Sequence, residues 1–116
     1  MIDKLKLMLL EDFPTLLNDK TIITCDDGWY SQIYEFLKMA NEIIKVKGLQ
    51  NVSVKRICSS GGGISVTIFN VSPELESLVS NLKSLCFNSC EQCGKAGEYS
   101  TELHKVVCKK HSKTIM

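Results

Sequence analysis

Three cysteines and a histidine near the C-terminus carry the strongest chemical signal in this chain. Cys90 and Cys93 lie in Cys-Glu-Gln-Cys-Gly, and Cys108 and His111 lie in Cys-Lys-Lys-His. Each pair is spaced by two residues, and residues 94 to 107 separate the pairs. Three thiolates and one imidazole at that spacing make a closed tetrahedral site for a structural Zn2+ ion. A two-residue gap lets the backbone curl round the metal, and Gly94 suits the positive φ such a turn requires. Lys109, Lys110 and Lys113 offset the net negative charge that three thiolates leave on a divalent ion. Four protein ligands leave no open position for a reacting water, so the metal is expected to fold the chain rather than to catalyse.

Three other readings compete with zinc. A redox dithiol at Cys90 and Cys93 would want its first cysteine at a helix N-terminus, whereas this pair follows a helical pattern. A disulfide framework from six cysteines would suit a secreted chain, but the opening Met-Ile-Asp-Lys-Leu-Lys-Leu-Met-Leu-Leu is closed at once by Glu11 and Asp12 and does not read as a secretory signal. Coincidence is the third reading, weakened by having two correctly spaced pairs and a glycine. Cys86 and His104 are the substitutes if one ligand is misassigned. Cys25 and Cys58 read as small buried apolar residues.

The elements that must position this site follow from hydrophobic periodicity. Ile2, Leu5, Met8, Leu9 and Phe13 recur at helical spacing, and Pro14 either ends that helix or begins a short second one. Thr21 to Thr24 suggests a brief strand. Asp26 and Asp27 are placed to cap a helix whose core face is Trp29, Ile33, Phe36, Leu37, Ala40 and Ile44. Val52 to Cys58 and Ile64 to Val71 read as an antiparallel hairpin joined by Ser59-Ser60-Gly61-Gly62-Gly63. Those glycines run into a strand and lack the lysine that should open a helix in a P-loop, so they read as a hairpin turn. Ser72 and Pro73 are the N-cap and first residue of a last helix. Its apolar face, Leu75, Leu78, Val79, Leu82, Leu85 and Cys86, leads directly into Cys90.

The expected fold is therefore α+β, with N-terminal helices, a central antiparallel β-hairpin, and a third helix running into a C-terminal zinc-ribbon-like knuckle. The 116 residues form one domain: 1–89 as an α+β core, 90–111 as the knuckle, 112–116 as a tail. The apolar fraction of 44% is ordinary for a globular protein, and no window is long enough to span a membrane, so a compact cytoplasmic protein is expected. The net charge of +1 conceals an asymmetry, because residues 1 to 36 hold seven acids against three lysines.

From Asp26 to His111 the chain resembles a family of small, largely uncharacterised bacterial and phage proteins. The matching residues are Asp27-Gly28-Trp29-Tyr30, Cys90-Glu91-Gln92-Cys93-Gly94 with Gly97, and Val107-Cys108 with His111. The family's central hairpin is basic and aromatic. Here the equivalent stretch, from Lys55-Arg56 to Ile64, keeps the bases and a glycine but lacks the phenylalanine and a later arginine. The resemblance implies the layout and the zinc knuckle, and no catalytic activity.

An enzyme is not expected. His104 and His111 are the only histidines, and one is assigned to zinc. A zinc deaminase would need a glutamate after a first histidine or cysteine ligand and an open fourth position; Glu91 sits between the cysteines, but four protein ligands would close the site against water. The expected function is binding to a protein target, such as a toxin or a basic nucleic-acid-handling enzyme, as an immunity protein or a phage anti-defence inhibitor. Asp19, Asp26, Asp27 and Glu35 are the candidate contacts, by charge steering. Nucleic-acid binding through the lysine-rich knuckle is the alternative, though Arg56 is the lone arginine and no aromatic platform is evident in the sequence.

Overall fold

The computed structural model describes residues 3–25, 27–60, 63–100 and 105–108. The fold is α+β, with three α-helices, a mixed three-stranded sheet and a small two-stranded one among the described residues. Helix α1 spans Asp3–Asp12 and buries Leu9; Phe13, just past its end, is buried too. Pro14 lacks the N–H to continue the helix. The chain instead makes a turn in which Leu17 N–H reaches Phe13 O at 2.9 Å, and Leu16 and Leu17 enter the core.

Strand β1, Ile22–Thr24, runs parallel to strand β2, Ser53–Ser60, with helix α2, Tyr30–Lys47, as the crossover. This parallel pairing was not readable in so short a strand. Strand β3, Gly63–Phe69, returns antiparallel to β2, giving the order β1-β2-β3. Ser60 pairs with Gly63, so the strands extend through residues that the sequence pattern assigned to the turn. Small polar residues without branching signal a loop by composition, yet nothing in their sterics prevents extended backbone.

The sheet has two unlike faces. Ile23, Val54, Ile57 and Ile64 are buried with the helices, whereas Ile22, Arg56, Ser65, Thr67 and Phe69 face outward. A bulge between Val54 and Arg56 turns Lys55 outward as well, and its Nζ lies 5.5 Å from the centre of the Phe69 ring.

Helix α2 buries Ile33, Phe36, Leu37 and Ala40, and Trp29 just before it is fully buried, as the periodicity required. Its start differs from the expectation. Asp27 opens a single 3-10 turn, Asp27–Trp29, and Trp29 occupies the N-cap without a side-chain cap bond. The core demands the indole at that position, and burial of an aromatic outweighs a cap worth about 1 kcal/mol. Asp26 lies outside the described residues. Helix α3, Pro73–Phe87, starts as expected, with Ser72 Oγ accepting from Leu75 N–H at 3.3 Å. Leu75, Leu78, Leu82 and Cys86 form its buried stripe, while Leu85 is exposed because it points away from the sheet and α2.

Strands β4, Glu98–Ser100, and β5, Lys105–Val107, pair antiparallel beyond α3. They carry Val106 and Val107 inward and complete the C-terminal knuckle.

Candidate metal centre

The knuckle begins where α3 stops. Ser89 bridges to Ala96, Cys90 N–H donates to Lys95 O at 2.6 Å, and Gly94 N–H donates to Cys90 O at 2.8 Å. These bonds close a tight loop around Cys90-Glu91-Gln92-Cys93. Gly94 has φ +80, the left-handed backbone that its place in the motif anticipated. On the other arm, β5 delivers Cys108 immediately after Val107, and Glu91 N–H donates to Val106 O at 2.8 Å to join the arms.

The two arms bring three thiols together. One ligand atom each from Cys90, Cys93 and Cys108 lies within 4.8 Å of the others, and Cys93 Sγ is 3.7 Å from Cys108 Sγ. A disulfide would need about 2.05 Å. A tetrahedral zinc ion with Zn–S bonds of about 2.3 Å places its sulfurs about 3.8 Å apart, so this spacing fits two ligands of one ion. None of the six cysteines is joined in a disulfide, which sets the disulfide framework aside. The Lys95 backbone N–H favours the Cys93 thiolate, but partial desolvation and the neighbouring Cys90 and Cys108 outweigh it and raise the thiol above its ordinary pKa. Crowded thiols resist ionising together, and a divalent cation among them reverses that preference.

Of the four sequence-derived ligands, Cys90, Cys93 and Cys108 converge, while His111 lies outside the described residues, as does His104. Cys86 is not part of the cluster. It is fully buried in the core, its thiol pushed up to about 12 by burial and, secondarily, by Cys25 and Glu91. Cys25 is likewise core, but Cys58 is only half-buried, on the outer side of β2, because its alternation with Ile57 turns it away from the helices.

The knuckle is not an appendage. Gly28 N–H donates to Glu91 O at 2.7 Å, and a Cβ at Gly28 would sit 2.5 Å from both Cys90 O and Cys93 N. Trp29 Nε1–H donates to Ser89 O at 3.0 Å, and Gln32 Nε2 donates to Ser89 Oγ at 3.1 Å. The Asp-Gly-Trp and Cys-x2-Cys-Gly motifs, sixty residues apart, are thus two halves of one contact. Among the described residues, these hydrogen bonds tie the start of α2 to the cysteine loop.

Sequence reasoning missed two features here. Glu91 is the one buried acidic or basic residue among the described residues, 1% exposed, and its Oε1 accepts from Ser59 Oγ at 2.9 Å. It ties the knuckle to the end of β2, a role invisible in a motif that shows only a glutamate between cysteines. The second is an aromatic pair: Phe87 and Tyr99, both partly exposed, stack with ring centroids 6.4 Å apart and planes 18° apart. It joins the end of α3 to β4, so no sequence window contains it.

Of the candidate partner contacts, two line different clefts and Asp26 lies outside the described residues. Asp19 and Glu35 are both exposed, but Asp19 lines a cleft with Lys6, Leu7, Leu10 and Thr21, whereas Glu35 lines another with Met8, Asp12, Tyr30 and Tyr34. Asp27 belongs to the turn beside the knuckle. The Glu35 cleft, about 300 Å3, is acidic and aromatic; desolvation, then the charge of Asp12, raises the Tyr30 pKa.

No protein-family model matches the chain, and no curated protein or solved structure matches it. Among the described residues, no helix is long and apolar enough to cross a membrane.

Proposed function

We propose that this chain is a small zinc-stabilised protein-binding module that inhibits a toxin or a defence enzyme by occupying its surface. The carrying observation is the convergence of Cys90, Cys93 and Cys108, with the 3.7 Å sulfur separation that suits one tetrahedral ion. His111 supplies the fourth ligand in this reading, and the closed site makes the metal structural. The joint packing of the Asp-Gly-Trp-Tyr and Cys-x2-Cys-Gly motifs supports the resemblance to the small bacterial and phage proteins that carry both. The binding surface is the cleft of Asp12, Glu35, Tyr30 and Tyr34. Tyrosines supply rigid contact area there, and two carboxylates steer a basic partner such as a nucleic-acid-handling enzyme.

A pull-down from host lysate tests this, run with and without nuclease beside an Asp12→Lys/Glu35→Lys variant. One protein recovered in both nuclease conditions and lost with the charge reversal is expected. Equal recovery by the variant would remove this cleft from the function. The second reading, nucleic-acid binding, has one observation in its favour: the stacked Phe87 and Tyr99 beside the knuckle offer a base-stacking surface. Partners that vanish on nuclease treatment, together with loss of binding in Tyr99→Ala, would establish it instead.

A further inference from the structure

The two edges of the three-stranded sheet are protected very differently. β1 is three residues long, and the loop before it is tied to the sheet by Val54 N–H to Leu16 O at 2.8 Å and Thr21 Oγ1–H to Val54 O at 2.9 Å. β3 is Gly-Ile-Ser-Val-Thr-Ile-Phe, seven residues with no charge and no proline. Its hairpin's bulge lies in β2, not in β3. Along one edge β3 pairs with β2; among the described residues no strand and no turn hydrogen bond takes up the other. Natural edge strands are usually guarded by shortness, charge, proline or a bulge, because open N–H and C=O groups template further pairing. β1 has the first of these guards and β3 has none.

We propose that the open edge of β3 pairs antiparallel with β3 of a second copy of this chain, about a two-fold axis through Val66, forming a continuous six-stranded sheet. A two-fold contact requires a self-complementary strand. Centring on Val66 is the register that uses all seven residues. On the helix-covered face it sets Ile64 opposite the partner's Ile68 and Val66 opposite the partner's Val66. Val66 and Ile68 are half-buried and gain cover from the contact, as Ile64 already has it at 4% exposed. On the outer face it sets Ser65 opposite the partner's Thr67, a favourable hydroxyl pair. Gly63 then meets the partner's Phe69, whose ring, 57% exposed, can lie across the bare glycine backbone. Centring on Ser65 would leave Ile68 and Phe69 unpaired, and centring on Thr67 would leave Gly63 and Ile64 unpaired. An uncharged strand also meets its own copy with no like-charge pair, which favours a second copy over a charged foreign strand.

Sedimentation of the zinc-loaded full chain over a dilution series tests the proposal. Wild type is expected at twice 13.0 kDa, falling to 13.0 kDa only on dilution. Ser65→Lys/Thr67→Lys sets introduced lysines against each other across the axis and is expected to sediment at 13.0 kDa throughout. Ser65→Lys/Thr67→Glu sets opposite charges across the same positions and is expected to retain the dimer. Both positions are exposed on the outer face, so the circular dichroism and zinc content of each variant should match wild type. A wild type that is monomeric at every concentration, or a lysine pair that still dimerises, overturns the proposal. Dissociation of the lysine–glutamate variant overturns the register.

Discussion

The helix-and-sheet body and the knuckle reach stability by different means. In the body, Trp29, Ile33, Leu37, Ile57, Leu75 and Leu82 bury apolar surface against one another, and exchangeable side-chain packing does most of the holding. In the knuckle the buried side chains among the described residues are Cys90, Glu91, Val106 and Val107, and much of the holding is backbone to backbone: Cys90 to Lys95, Gly94 to Cys90, Glu91 to Val106 and Gly28 to Glu91. So few buried side chains make the knuckle dependent on its metal, whereas the body should tolerate metal loss. The seam between them combines both modes, since Trp29 is at once a core residue and the donor to Ser89 O.

The largest expected effect separates the two regions outright. Cys93→Ser or Cys108→Ser, or chelation of the wild type, should abolish zinc binding and unfold residues 88–108 while leaving body helicity largely intact; structural zinc contributes on the order of 10 kcal/mol of apparent binding free energy in small knuckles. Metal analysis beside amide exchange checks this, and full zinc content in both variants would show the ligands to be misassigned. Leu82→Ala should do the opposite. Truncating this 2%-exposed side chain should cost about 2–5 kcal/mol in denaturant unfolding. Zinc stoichiometry of the folded protein should not change.

Gly28→Ala probes the seam. The new methyl has no room against Cys90 O and Cys93 N, so a cost of about 1–3 kcal/mol is expected with weakened zinc retention. Unaltered retention against a competing chelator would mean that the seam does not support the metal loop. The smallest effect under ordinary conditions comes from Cys86. Its thiol titrates near 12 when folded and near 9.0 when unfolded, so the unfolded chain sheds a proton first as pH rises. Its contribution to stability is complete below about pH 9 and is lost progressively toward pH 12. In Cys86→Ala that alkaline decline should flatten, as urea midpoints across the range would show.

Much of the body was legible because local and tertiary demands agree there. The stripe from Leu75 to Cys86 needs burial at helical spacing, and Ser72-Pro73 marks where that helix can start. Where the two disagreed, the local reading failed. Asp27 looks like a helix cap, but burying the Trp29 indole decides where α2 begins. Leu85 fits the apolar spacing yet points to solvent, since periodicity says which residues share a face and not how wide a face the neighbours cover.

By itself the sequence determined the types of the six main elements from α1 to α3, most of the apolar faces of α2 and α3, and the identity of the three converging cysteines, because these depend on spacing along the chain and on ligand chemistry. The tertiary structure alone decided that β1 joins β2 in parallel, that Glu91 is buried against Ser59, and that Gly28 lies under the cysteine loop. It also decided that Glu35 shares a cleft with Asp12 rather than with Asp19, and that β3 is left as an unguarded edge. Each of these is a contact between residues far apart in the chain. Such contacts follow from how the elements pack, and no local pattern encodes that packing.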